Sequence, residues 1–119
     1  MKLSMKHFDL FQEECEKYLE LLGLKSWKIY YKFEKLDDSF ARAEWKYAGR
    51  VATLTLANDF PKPFKTIEGQ IKESALHECL EILLAPVSSL AEDRSFVRID
   101  FDKEIHAVIR TLEKVIICK

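Results

Sequence analysis

"SWKIYYKFEKLDDSFARAEWKYAGRVATLTLAN", residues 26–58, decides the fold, because its apolar residues recur at every second position. Trp27, Ile29, Tyr31 and Phe33 point one way, while Lys28, Tyr30, Lys32 and Glu34 point the other. Ala41, Ala43, Trp45 and Tyr47 likewise oppose Arg42, Glu44 and Lys46, and "RVATLTLAN" is rich in β-branched residues. Three strands follow, with an "LDDS" turn after the first and Ala48-Gly49 as a tight link between the second and third. The economical topology is an antiparallel meander. Ala41 and Ala43 are small enough for a helix to pack close against it.

On either side of this stretch the period changes to that of a helix. Upstream, Phe8, Phe11, Cys15, Tyr18, Leu19 and Leu22 share one face at spacings of three and four. The segment closes at Gly23, where a left-handed C-terminal cap costs least, and either Ser4 or Asp9 could cap its start. Downstream, "NDFPKPFKT" is a loop with two prolines, and Thr66 is placed to cap a helix from about Ile67 to Ala85, before Pro86; "VSSLAE" is able to resume it. "EDRSFVRIDFD" is polar and reads as irregular. The last helix, about residues 102–118, carries Ile105, Val108, Ile109, Leu112, Val115 and Ile116 on one face. The order α-β-β-β-α-α gives an α+β fold: a helix, a three-stranded antiparallel sheet, then two helices, with the helices on one sheet face.

The 119 residues make one domain, 1–119, and a composition of 48% hydrophobic and 33% charged residues is that of a folded chain. A formal net charge of −1, from 19 basic and 20 acidic residues, offers no global attraction to nucleic acid or to anionic membranes. No stretch approaches the roughly 20 apolar residues of a spanning helix. "MKLSMKHFDLFQEEC" lacks the apolar run of a signal peptide, which sets a cytoplasmic expectation. Cys15, Cys79 and Cys118 lie in apolar helical patterns at no metal-like spacing, so buried reduced thiols are expected.

One helix carries chemistry. "SALHECLEILL", residues 74–84, contains His77, Glu78 and Glu81, the pattern H-E-x-x-E, one letter from the H-E-x-x-H of zinc peptidases. Lys72, Leu76, Leu80, Leu83 and Val87 form its expected buried stripe, with His77 and Glu81 stacked on the flank and Glu78 pointing further out. Residues four apart bring two donor atoms close enough to share a small cation, and a carboxylate is an acceptable ligand beside an imidazole. A third ligand has to come from elsewhere, and "DKEIHAVIRTLEK" offers Glu104 or His106. Glu104 would follow peptidases whose third ligand is a glutamate on the next helix. His106 would restore the lost imidazole, and two imidazoles with one carboxylate hold zinc better than the reverse. The bland alternative is an exposed His–Glu pair worth a few tenths of a kcal/mol.

The quoted strands, "SALHECLEILLAPVSSLAE" and "EIHAVIRTLEK" together resemble the minimal zincin-like metallopeptidases, small single domains found often in phages and prophages. Those have a tryptophan-containing first strand, an Ala-rich second, a β-branched third, a helix of the type A-x-H-E-x-x-H-x-L-L-x-P-L and a final helix with E-x-H. The resemblance covers roughly residues 25–118 and implies a zincin-like fold. It also implies His77 as first metal ligand, Glu78 as general base, Glu81 in place of the second ligand, and Glu104 or His106 as the third. The implied activity is metal-assisted hydrolysis of an amide in a peptide or protein, with Zn2+ or another divalent metal. The departure at Glu81 makes the site more anionic and suits a harder ion.

Two other readings compete. One is a catalytically inactive zincin-like module that binds a protein, with Tyr30, Phe40, Phe60 and Phe64 as contact candidates. The other is a single-strand nucleic-acid binder using Lys28, Tyr30, Lys32, Arg42 and Lys46, which Glu34, Glu44 and the balanced charge argue against.

Overall fold

The computed structural model describes residues 1–92 and 98–117. The elements are α1 (Met5–Leu21), β1 (Lys28–Glu34), β2 (Ala41–Lys46), a single 3-10 turn (Tyr47–Gly49), β3 (Val51–Ala57), α2 (Ile67–Glu92) and α3 (Arg98–Ile117). It is an α+β fold with three helices and a three-stranded mixed sheet. No helix of the described residues is long and apolar enough to cross a membrane.

The strands fall where the alternation places them, and the inward faces are those expected. Their order does not follow the chain. The sheet runs β1-β3-β2, with β3 parallel to β1 and antiparallel to β2, which corrects the antiparallel meander. The physical reason lies in β3, whose residues Leu54 to Ala57 are all buried, including Thr55 on the outward side. A strand covered on both faces belongs in the centre. β1 and β2 alternate between half-buried and exposed, as edges do. The link through Leu36 therefore skips one strand position, and the 3-10 turn brings the chain back into the gap. The turn closes through Arg50 in the left-handed region at φ 49°, not through Gly49.

Register lines up three inward rows: Ile29–Ala52–Trp45, Tyr31–Leu54–Ala43 and Phe33–Leu56–Ala41. α1 covers the β1 side of these rows. Phe8 stacks on Phe33 at 5.0 Å, Phe11 meets Tyr31 edge-on at 6.5 Å, and the Tyr31 hydroxyl donates to Glu16. α2 covers the β2 side, against Ala41 and Ala43. Phe11, Cys15 and Leu19 of α1 and Ile71, Ala75, Cys79 and Ile82 of α2 are all buried between them. Cys79 Sγ donates to the Cys15 carbonyl at 3.6 Å, and the Cys79 contact and burial push the Cys15 thiol up, so it stays protonated. Cys118 lies outside the described residues.

The helix ends show their causes. Ser4 caps α1, and its N–H donates to Nδ1 of His7 at 3.0 Å. Gly23 takes φ 70° after α1, with Leu24 N–H donating to the Leu19 carbonyl. Thr66 Oγ1 accepts from Gly69 N–H at 3.1 Å, an approach that a Cβ at residue 69 would foul at 2.6 Å. α2 does not stop before Pro86 but continues through it to Glu92, forgoing one backbone bond there. α3 begins at Arg98, earlier than expected, while 93–97 of the stretch read as irregular lie outside the described residues.

Candidate functional site

The side of α2 turned to the sheet differs from the stripe expected. Ile71, Ser74, Ala75, Glu78, Cys79 and Ile82 are buried, whereas Lys72 and Leu76 are exposed. Three residues of the buried stripe, Ser74, Ala75 and Cys79, are small, as are Ala41 and Ala43 on the β2 side that α2 packs against. Leu76, Leu80, Leu83 and Val87 form a second apolar stripe about 140° round the helix from Ile82. A helix with two such stripes sits in the middle of a fold, and α2 does so, between the sheet and α1 on one side and α3 on another.

This rotation reverses the expected exposures of the H-E-x-x-E residues. Glu78, expected to point outward, is only 5% exposed. The His77 side chain is 70% exposed and that of Glu81 40%, and His77 Nε2 lies 3.5 Å from a Glu81 carboxylate oxygen. Donor atoms of His77, Glu78 and Glu81 all lie within 4.8 Å of one another. Burial first, then a hydrogen bond and charge repulsion from Glu81, push the Glu78 carboxyl up from 4.5 to about 8. Two carboxylates sharing one buried corner call for a compensating positive charge, and either a proton or a cation supplies it.

His77 and Glu78 stand at the end of a cleft of about 350 Å³ between the start of β2 and the first half of α2. Ser39, Phe40 and Ala41 form one wall, and Gln70, Ser74 and Glu78 rise along the other at four-residue spacing. Gln70 Nε2 donates to Ser74 Oγ at 3.0 Å, and Lys62 reaches in over the Phe40 ring, 5.6 Å from its centre. β2 hydrogen-bonds only with β3, so its far edge keeps unpaired backbone groups among the described residues. Gln70, Ser74 and Lys62 escaped the sequence reading. The signal for the first two was a polar residue every fourth position, ending at Glu78.

Neither Glu104 nor His106 joins the cluster, which among the described residues draws all three members from α2. Glu104 is half-buried on α3. His106 is exposed, and its Nδ1–H donates to the Asp102 carbonyl at 2.8 Å, a bond within its own helix. Of the aromatic contact candidates, Phe60 is buried, with Phe40 and Phe64 edge-on against it at 4.9 and 5.2 Å. These three rings are a packing cluster, and of the four candidates Tyr30 is the one most open to solvent, at 49%. Comparison with protein-family models, curated proteins and solved structures finds no match to this chain.

One imidazole and two carboxylates form an oxygen-rich donor set that fits a divalent cation, with water completing the shell.

Proposed function

We propose that the chain is a metal-dependent hydrolase of the zincin-like type, acting on an amide bond in an extended peptide. The observation that carries this reading is the convergence of His77, Glu78 and Glu81 within 4.8 Å beside the free edge of β2. His77 Nε2 and the Glu81 carboxylate would hold the ion, Zn2+ or a harder divalent cation suited to two carboxylates. The chemistry such an ion supplies when bound is polarisation of a carbonyl and a lowered pKa for water.

The chain's own groups account for the remainder. Backbone N–H and C=O groups along β2 pair with the substrate main chain and hold it extended. The narrow wall at Ala41 admits the backbone close to α2. Glu78, buried beside His77 and Glu81, takes a proton from the attacking water and returns it to the leaving amine. The buried free thiols Cys15 and Cys79 suit a reducing, cytoplasmic setting.

A second reading follows from α3: with Glu104 and His106 outside the cluster, the same cleft would serve a catalytically inactive zincin-like module that binds an extended peptide without cutting it. Cleavage of a random-sequence peptide pool, followed by mass spectrometry with added Zn2+ or Mn2+, separates the two. Hydrolysis that Glu78→Gln abolishes while the cation stays bound supports the enzyme. Binding of peptides without cleavage, unaltered by Glu78→Gln, supports the module.

A further inference from the structure

α3 is docked by one edge of its apolar surface and leaves the other edge bare. Val108 and Val115, seven residues apart, pack against the core. Ile105, Ile109, Leu112 and Ile116 follow at spacings of four, three and four, the step of a helix-pairing seam, centred about 80° round the helix from those valines. Of this seam, Ile109 is 45% exposed, Leu112 38% and Ile116 70%. The chain is also more extended than its length requires. Its radius of gyration is 15.4 Å, where a compact chain of this length has about 13.5 Å. Among the described residues, nothing covers the outer side of this apolar seam.

The seam itself says which partner. Turned end for end, its spacing reads four, three, four again, so two copies of α3 running antiparallel set Ile105 against Ile116 of the second copy and Ile109 against Leu112. The far flank of the seam carries His106 and Glu113, one on each side of the centre. The same antiparallel register brings each His106 beside the Glu113 of the other copy. With Nδ1–H of His106 committed to the Asp102 carbonyl, it is the Nε2–H of the imidazolium that would donate to that carboxylate. A run of like charges would favour a partner of opposite charge; an imidazole and a carboxylate on the same flank, one on each side of the centre and within two residues of exact register, favour a second copy.

We propose that the chain forms a two-fold symmetric dimer through antiparallel pairing of α3, with Ile105, Ile109, Leu112 and Ile116 as the seam and His106 and Glu113 as reciprocal flanking partners. The contact leaves the cleft between β2 and α2 open, because the seam is on α3 and the cleft is not. It also gives His106 a structural use apart from the metal site.

Sedimentation equilibrium of the full chain over a wide concentration range tests this. The wild type is expected to show a monomer–dimer equilibrium, and Ile109→Glu, at an exposed position, is expected to be monomeric with an unchanged circular dichroism spectrum and, at concentrations where the wild type is itself monomeric, an unchanged melting curve. Glu113→Lys is expected to weaken association about fivefold through loss of two rim pairs, and adding His106→Glu to restore it. A wild type that stays monomeric overturns the proposal, as does a dimer indifferent to Ile109→Glu. A dimer that Ile109→Glu breaks but the reciprocal exchange leaves untouched overturns the antiparallel register.

Discussion

α1 and α3 are helices of similar length, 17 and 20 residues, with apolar faces of similar clarity in the sequence, yet they play different parts in the fold. α1 buries Phe11, Cys15 and Leu19 almost completely, between the sheet and α2. α3 rests chiefly on α2 and leaves three large apolar side chains in solvent. An amphipathic pattern thus shows that a helix has something to cover. It does not show whether the cover comes from the same chain. The candidate site draws on the well-packed half alone, since His77, Glu78 and Glu81 are held by a helix wedged against β2 and α1.

The largest expected effect lies on the α1 side. Phe11→Ala removes a fully buried ring at the sheet–α1 contact and is expected to cost about 3–5 kcal/mol, read as a shift of the urea midpoint. Val108→Ala on the partly buried face of α3 is expected to cost about 1 kcal/mol. Equal losses at the two positions would mean that α3 belongs to the same packed unit as α1.

A pH series sharpens the comparison at the site itself. The Glu78 carboxyl is raised from 4.5 to about 8 in the folded chain. Between those values the native state holds a proton that the unfolded chain has released, so stability falls as pH rises. The contribution is complete below 4.5 and gone once pH passes 8. Metal-free protein in chelator should therefore melt at progressively lower temperature from mildly acid to mildly alkaline pH. Glu78→Gln should flatten that slope. A slope that survives the substitution would put its origin elsewhere.

The smallest effect is expected at the centre of the sheet. Thr55 is fully buried on the outward side of β3, beneath an Arg42–Glu34 pair at 3.6 Å that reaches from one edge strand to the other. Among the described residues its Oγ1 has no hydrogen-bond partner. Thr55→Val keeps the shape and removes the orphaned hydroxyl, and is expected to stabilise by about 1 kcal/mol in thermal unfolding. Destabilisation instead would reveal a partner for that hydroxyl.

Much of this architecture was legible because local rules decide it. Alternation located the first two strands and their inward faces, β-branched content located the third, Gly23 and Thr66 marked helix ends by their own chemistry, and the i, i+4 step brought His77 to Glu81. Strand order was not legible by those rules, since it depends on which strand is covered twice; the uncharged run Val51–Ala57 was the available clue. The facing of α2 was missed because large leucines outweigh Ser74, Ala75 and Cys79 in any hydrophobic average, while close packing on Ala41 and Ala43 selects the small side. The same error turned Glu78 outward. A carboxylate reads as a surface residue until its neighbours show that it is trapped. The placement of Glu104 and His106 depended on the rotation of one helix against another, which no local pattern fixes.

The most direct test is the metal content of protein purified without chelator or nickel affinity resin, then exposed to Zn2+ or Mn2+ and dialysed, beside His77→Ala. About one equivalent of a divalent metal per chain in the wild type, lost in the variant, is the expected result. The same metal content in both, or none in either, would contradict a cation site at His77, Glu78 and Glu81.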